Sequence, residues 1–96
     1  MKPCVYIIYS IQLDKFYIGE TSDLNKRLEE HKNKFYENSY TSKASDWKLF
    51  LKIDCEITTQ AIKVERHIKN MKSKIYIHNL KKYPEIADKL KEKYLY

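Results

Sequence analysis

Two tyrosines stand eleven residues apart in strand-like surroundings, Tyr6 within Cys4-Val5-Tyr6-Ile7-Ile8-Tyr9 and Tyr17 at the head of Tyr17-Ile18-Gly19. Arg27 and His31 follow four apart, and Glu65 comes later on a separate helical stretch. Two phenols, a guanidinium, an imidazole and a carboxylate are a set suited to hydrolysis of a phosphodiester, provided the fold gathers them at one place. The only glycine of the chain, Gly19, closes the second tyrosine segment. A lone glycine in a strand marks a bulge, a bend, or a close approach by another backbone or a ligand.

The elements that must position these groups follow from the hydrophobic pattern. Residues 2–10 are β-branched and aromatic on both alternating faces, as in a strand covered on both sides. Residues 11–14 are a short connection and 15–20 a second strand, so the simplest arrangement is an antiparallel hairpin that brings Tyr6 close to Tyr17. Thr21, Ser22 and Asp23 are cap-forming residues ahead of a helix over about 24–34. On it Leu24, Arg27, Leu28 and His31 share one stripe. Arginine is almost never fully buried without a partner, so Arg27 either runs its stem along the apolar face with its head in solvent, or has an ion-pairing or functional role.

Residues 33–46 read as a polar loop with scattered aromatics, Phe35, Tyr36 and Tyr40, that lines a cleft; as a nucleic-acid cradle its signal is weak. Residues 47–55 form a third strand with Trp47, Leu49, Leu51 and Ile53 on one face and Phe50 on the other. Thr58 or Thr59 caps a helix over about 60–72, whose core stripe is Ala61, Val64, Ile68 and Met71, widened by Ile62. Glu65 falls within that stripe, and a carboxylate so placed must be paired, protonated or bound to a metal. An ion pair with Arg27 or with a lysine is the alternative to a catalytic role. From Ser73 onward the chain is helical again, broken near Tyr83-Pro84 and resumed through Tyr94. Lys69, Lys72, Lys74, Lys81 and Lys82 give this half a basic edge.

Composition bounds the function. Lys and Arg number 19 against 13 Asp and Glu, a formal net charge of +6 with a pI near 9.2, so a polyanion is the natural partner. All the basic residues except Arg27 and Arg66 are lysine, a bias that solubility alone also explains. With 96 residues the chain is expected to form one domain, 1–96, without room for a separate recognition module. Cys4 and Cys55 sit in apolar contexts with no CxxC or nearby His, and read as reduced core residues. No apolar run approaches the roughly 18 residues needed to span a bilayer, and no signal segment is apparent, so a cytoplasmic protein without membrane contact is expected. His31, His67 and His78 lack the spacing of a zinc site.

In order and spacing these residues resemble the GIY-YIG nuclease superfamily, in particular its small single-domain bacterial members, over roughly residues 3–80. Cys4-Val5-Tyr6 corresponds to the first family motif, with Cys in the glycine position, and Tyr17-Ile18-Gly19 to the second. Arg27 and His31 lie ten and fourteen residues after Tyr17, as the family pattern has them. Tyr40-Thr41, Trp47 and Glu65 match later positions, and Asn79 is the best match by distance to a family asparagine after the second helix.

The resemblance implies an α/β (α+β) fold with a small three-stranded antiparallel sheet flanked by helices. It implies a metal-dependent DNA endonuclease, structure-selective or weakly sequence-specific, acting in DNA repair, recombination or defence. On that footing Glu65 holds Mg²⁺ or Mn²⁺, and Arg27 neutralises the phosphate with its two-pronged fork. Tyr6 is favoured over Tyr17 as the base, assisted by His31; free tyrosine titrates near 10, so neither phenol is a ready base without help from positive charge. Gly19, Tyr40, Thr41, Lys69 and Lys72 are assigned to substrate contact. A non-catalytic nucleic-acid-binding module on the same scaffold is the alternative. Monomer and homodimer both remain open, since cutting two strands requires two active sites.

Overall fold

A computed structural model describes residues 2–33 and 40–95, of which Tyr40 and Thr41 are described by backbone alone. The expected aromatic contributions of Phe35 and Tyr36 fall outside the described residues, as do the side chains of Tyr40 and Thr41. The elements run β1 (Cys4–Ser10), β2 (Lys15–Thr21), α1 (Leu24–Lys32), a 3-10 turn (Tyr40–Lys43), β3 (Lys48–Asp54), α2 (Thr58–Met71), α3 (Lys74–Lys82) and α4 (Pro84–Lys93).

β1 is the middle strand of a three-stranded antiparallel sheet ordered β2-β1-β3. This explains why its pattern is apolar on both faces: Val5, Tyr6, Ile7 and Ile8 have no exposed surface. In the hairpin Tyr6 stands opposite Gly19 and Ile8 opposite Tyr17. Residues directly opposite share a face and alternate residues do not. Tyr6, Ile8, Tyr17 and Gly19 therefore line one face, while Val5, Ile7, Phe16 and Ile18 line the other. That second face packs against Ala61, Val64 and Ile68 of α2, Ile77 and Leu80 of α3, and Ala87 and Leu90 of α4 to make the core. The first face receives His31 from α1.

Three sequence expectations are corrected. The apolar residues of β3 do not keep one face: Ile7 pairs with Leu51 but Ile8 with Leu49, so the register slips between them. The extra residue is Phe50, and a bulge of this kind reverses the alternation. Leu51 and Ile53 join Val5 and Ile7 on the helical side, Phe50 packs against the same core, and Leu49 is left 44% exposed. In α2, Met71 is also outside the core, 45% exposed, because the helix ends there and Lys72 turns left-handed at φ 48. The cap of α2 is Ile57 and makes no side-chain bond. Instead Gln60 reaches back to accept from the Glu56 amide at 2.7 Å, and donates to the Lys91 carbonyl at 2.7 Å, tying α2 to α4.

Other signals hold. Asp23 caps α1 by accepting from the Lys26 amide at 3.2 Å, and Pro84 opens α4. The structure adds a cap for α3, where the Ser73 hydroxyl accepts from the Tyr76 amide at 3.1 Å. Cys4 and Cys55 are buried free thiols, and burial raises the pKa of both. Among the described residues, no helix is long and apolar enough to cross a membrane.

Candidate active site

Gly19 is needed for space rather than for backbone freedom, since its φ is not positive. A Cβ built there would stand 2.5 Å from Cζ and Oη of Tyr6 and 2.8 Å from Cε1. The ring of Tyr6 thus lies across its strand partner, and the close approach that the glycine signalled is made by a phenol of the same chain. From there the Tyr6 hydroxyl reaches Nε2 of His31 at 2.8 Å, in a buried hydrogen bond.

His31 is 2% exposed and its pKa is lowered, first by burial and then by the nearby Arg27 guanidinium, against which Glu30 acts weakly in the other direction. The imidazole is accordingly held in its neutral form. Tyr17 completes a three-ring cluster, with centroids 6.3 Å from Tyr6 and 5.2 Å from His31; it keeps partial exposure where Tyr6 has none.

One turn before His31, Arg27 keeps its side chain 35% exposed and meets Glu30 at 3.5 Å. The ion-pairing alternative is therefore the one realised, on a side chain that is mostly covered. β2 is an edge strand, so α2 can approach Tyr17 around the side of the sheet. Lys69 of α2 places its ammonium 6.0 Å from the Tyr17 ring centroid and 2.9 Å from Glu65 Oε1. The Glu65 side chain is 16% exposed, so this carboxylate resolves its partial burial by pairing. The partner is a lysine four residues on rather than Arg27. That pair, like Arg27 with Glu30, was available to sequence reading from helical spacing alone.

Among the described residues, no hydrogen bond or ion pair joins Asn79 to this cluster. It lies on α3, whose neighbouring His78 packs on Phe16 and Phe50, on the sheet face away from Tyr6 and His31, and its carbonyl accepts from the Tyr83 amide at 2.8 Å. Lys72 lies beyond Lys69, at the end of α2. His67 is occupied with the Tyr94 hydroxyl at 2.9 Å.

Residues 2–84 match the GIY-YIG catalytic domain. The chain belongs to that family. No curated protein and no solved structure matches it. Membership makes this a nuclease-type protein with a DNA substrate, in a family generally dependent on divalent metal. The α+β fold of the GIY-YIG domain, with its three-stranded antiparallel sheet, is present here as expected.

The residues fit a hard cation to a limited extent. Glu65 offers oxygen ligands and already attracts an ammonium group. Among the described residues there is no cluster of three or more His, Cys, Asp or Glu able to cage an ion. A single carboxylate with water and phosphate oxygens is the usual environment of Mg²⁺, which keeps much of its hydration.

Proposed function

We propose that this GIY-YIG protein is a metal-dependent DNA endonuclease whose working groups are Tyr6, Tyr17, Arg27, His31 and Glu65. The observation that carries this reading is the buried Tyr6 to His31 hydrogen bond of 2.8 Å, set beside Tyr17 and joined to Glu65 through Lys69. A buried phenol facing a neutral imidazole has a proton acceptor. With His31 as the Nδ1–H tautomer, its Nε2 accepts from Tyr6, and the Tyr6 oxygen then takes the proton of the attacking water. Because Tyr6 has no exposed surface, the groups that cover its oxygen must move aside when substrate and water enter.

Tyr17, partly exposed beside the pair, orients the water or a phosphate oxygen. Arg27 exchanges Glu30 for the phosphate, where its fork stabilises the charge that develops on the equatorial oxygens. Glu65 would hold Mg²⁺ or Mn²⁺, which would supply Lewis-acid polarisation of the phosphate and stabilisation of the leaving oxygen. For Glu65 to do so, Lys69 must release it, which sends the lysine toward the DNA. On this reading the DNA is selected by its structure or only weakly by its sequence, in repair, recombination or defence.

Purified protein incubated with flapped, branched and plain duplex DNA in Mg²⁺ is expected to cut at least one of them, and Glu65→Ala is expected to lose at least a hundredfold in rate, the scale of a single transition-state charge contact. Cutting that persists unchanged in Glu65→Ala removes the assignment. Salt-sensitive binding with no cleavage of any substrate would instead identify a non-catalytic DNA-binding module.

A further inference from the structure

Next to the Tyr17 cluster, on the helical side of β2, lies a groove of about 210 Å³ walled by β2 and by the junction of α2 and α3. Its floor is hydrocarbon, from Phe16, Ile18, Ile68 and Ile77, and its rim carries Lys15, Lys69, Lys72 and Lys74. Lys69 belongs to the groove and to the Tyr17 and Glu65 cluster alike, so whatever fills the one is continuous with whatever occupies the other. Lys74 is held by the Asp14 carbonyl and carboxylate at 2.9 and 3.3 Å. Lys15 and Lys72 are exposed and are in no ion pair among the described residues.

At its far end the groove opens onto a half-covered aromatic platform through Phe16. This ring meets Phe50 at 5.0 Å and His78 at 5.5 Å, both edge-on, and Lys81 sits 4.6 Å over Phe50. His78 is on the surface.

The chemistry of this strip discriminates between forms of DNA. A duplex turns its phosphates outward and hides its base faces, so it would satisfy the lysines and leave the apolar floor and the rings unused. An unpaired strand offers both, phosphates for the rim and base faces for hydrocarbon and aromatic surface. The groove is also smaller than the roughly 300–1,000 Å³ of pockets that enclose a whole small molecule, which suits a chain lying across it. We infer that the strip from Lys69 through Lys15 and Lys72 to Phe16, His78 and Lys81 binds an unpaired DNA segment contiguous with the scissile phosphate. The inference deepens the nuclease proposal by naming its substrate as DNA with single-stranded character beside the cut.

The test is binding without metal, so that its outcome is separate from that of catalysis. Fluorescence anisotropy of a labelled oligothymidine is measured in EDTA across a salt series, with unlabelled duplex as competitor. The single strand is expected to bind tighter than duplex. Lys15→Ala/Lys72→Ala is expected to weaken it about tenfold at low salt and to reduce the salt slope by about 1.4, at 0.7 per phosphate contact on single strands. His78→Ala is expected to weaken it severalfold through lost stacking, with a fall in Tm of only a few degrees from the lost edge contacts to Phe16 and Phe50. Lys89→Ala/Lys93→Ala on α4 removes the same charge elsewhere and is expected to leave affinity nearly intact. The inference is overturned if duplex competes as well as single strand, or if the α4 pair costs as much as the groove pair. Binding as expected with no cleavage in Mg²⁺ leaves the groove standing and removes only the enzymatic reading.

Discussion

At the scale of the residue, the site is held by a contact that permits no added carbon. Gly19→Ala places a methyl carbon 2.5 Å from Cζ and Oη of Tyr6, and that ring is wholly buried and hydrogen-bonded, so the strain cannot be relieved by swinging a flexible end into solvent. A cost of about 1–3 kcal/mol, as for other overpacked cores, is expected in urea denaturation, along with a larger proportional loss of any cleavage activity, because the displaced atom is the phenolic oxygen. A variant as stable and as active as the wild type would contradict this packing.

His31 gives a second prediction at the same scale. Its pKa lies below the ordinary value of 6.5 through burial and the Arg27 charge, so the unfolded chain takes up a proton in a range where the fold does not. Stability is then fully present above about pH 6.5 and is lost as pH falls from there toward the folded value. His31→Gln keeps a hydrogen-bonding group near Tyr6 without titrating, and is expected to flatten that acid-side loss when urea midpoints are compared at neutral and mildly acidic pH. An unchanged pH dependence would show that other groups carry it.

At the scale of the element, much of the layout was legible because periodicity reports burial directly. The Ala61, Val64, Ile68 stripe, the doubly covered β1 and the hairpin that sets Tyr6 beside Tyr17 all follow from spacing. The bulge at Phe50 was not legible, since one inserted residue leaves local composition unchanged while inverting every side chain beyond it. Nor was the cap of α2, where a glutamine one turn into the helix substitutes for the threonines that the local pattern favours. Of the candidate site, the ordered set of five was legible, whereas the Lys69 bridge between Glu65 and Tyr17 required the approach of α2 to the β2 edge.

The α2 to α3 junction carries a prediction of opposed signs. Lys72 is left-handed at φ 48, a conformation that costs a non-glycine residue roughly 1 kcal/mol or more. Lys72→Gly is therefore expected to raise the thermal midpoint while lowering affinity for single-stranded DNA, because the same substitution removes a rim charge of the groove. A variant that loses both stability and binding would indicate that the lysine stem is needed for packing at this junction.

At the scale of the whole molecule, the sheet divides labour between its faces. One face is committed to hydrocarbon and to α2, α3 and α4, and the other to the Tyr6, Tyr17 and His31 cluster under α1; the β2 edge is where α2 brings Lys69 and Glu65 alongside. Stability and ion binding are thereby linked, since a cation bound by the folded chain alone stabilises it by an amount that grows with ligand concentration over Kd. Millimolar Mg²⁺ or Mn²⁺ is expected to raise Tm without any DNA present, and Glu65→Gln to abolish the shift. Lys69→Met removes the ammonium that now neutralises Glu65 at 2.9 Å, and is expected to move the same shift to lower metal concentration, even as it weakens DNA binding. If Lys69→Met leaves the metal dependence of Tm unchanged while Glu65→Gln still abolishes it, the lysine does not compete for the carboxylate. A metal-induced shift that survives Glu65→Gln would place the ion elsewhere on the chain and detach Glu65 from the chemistry proposed for it.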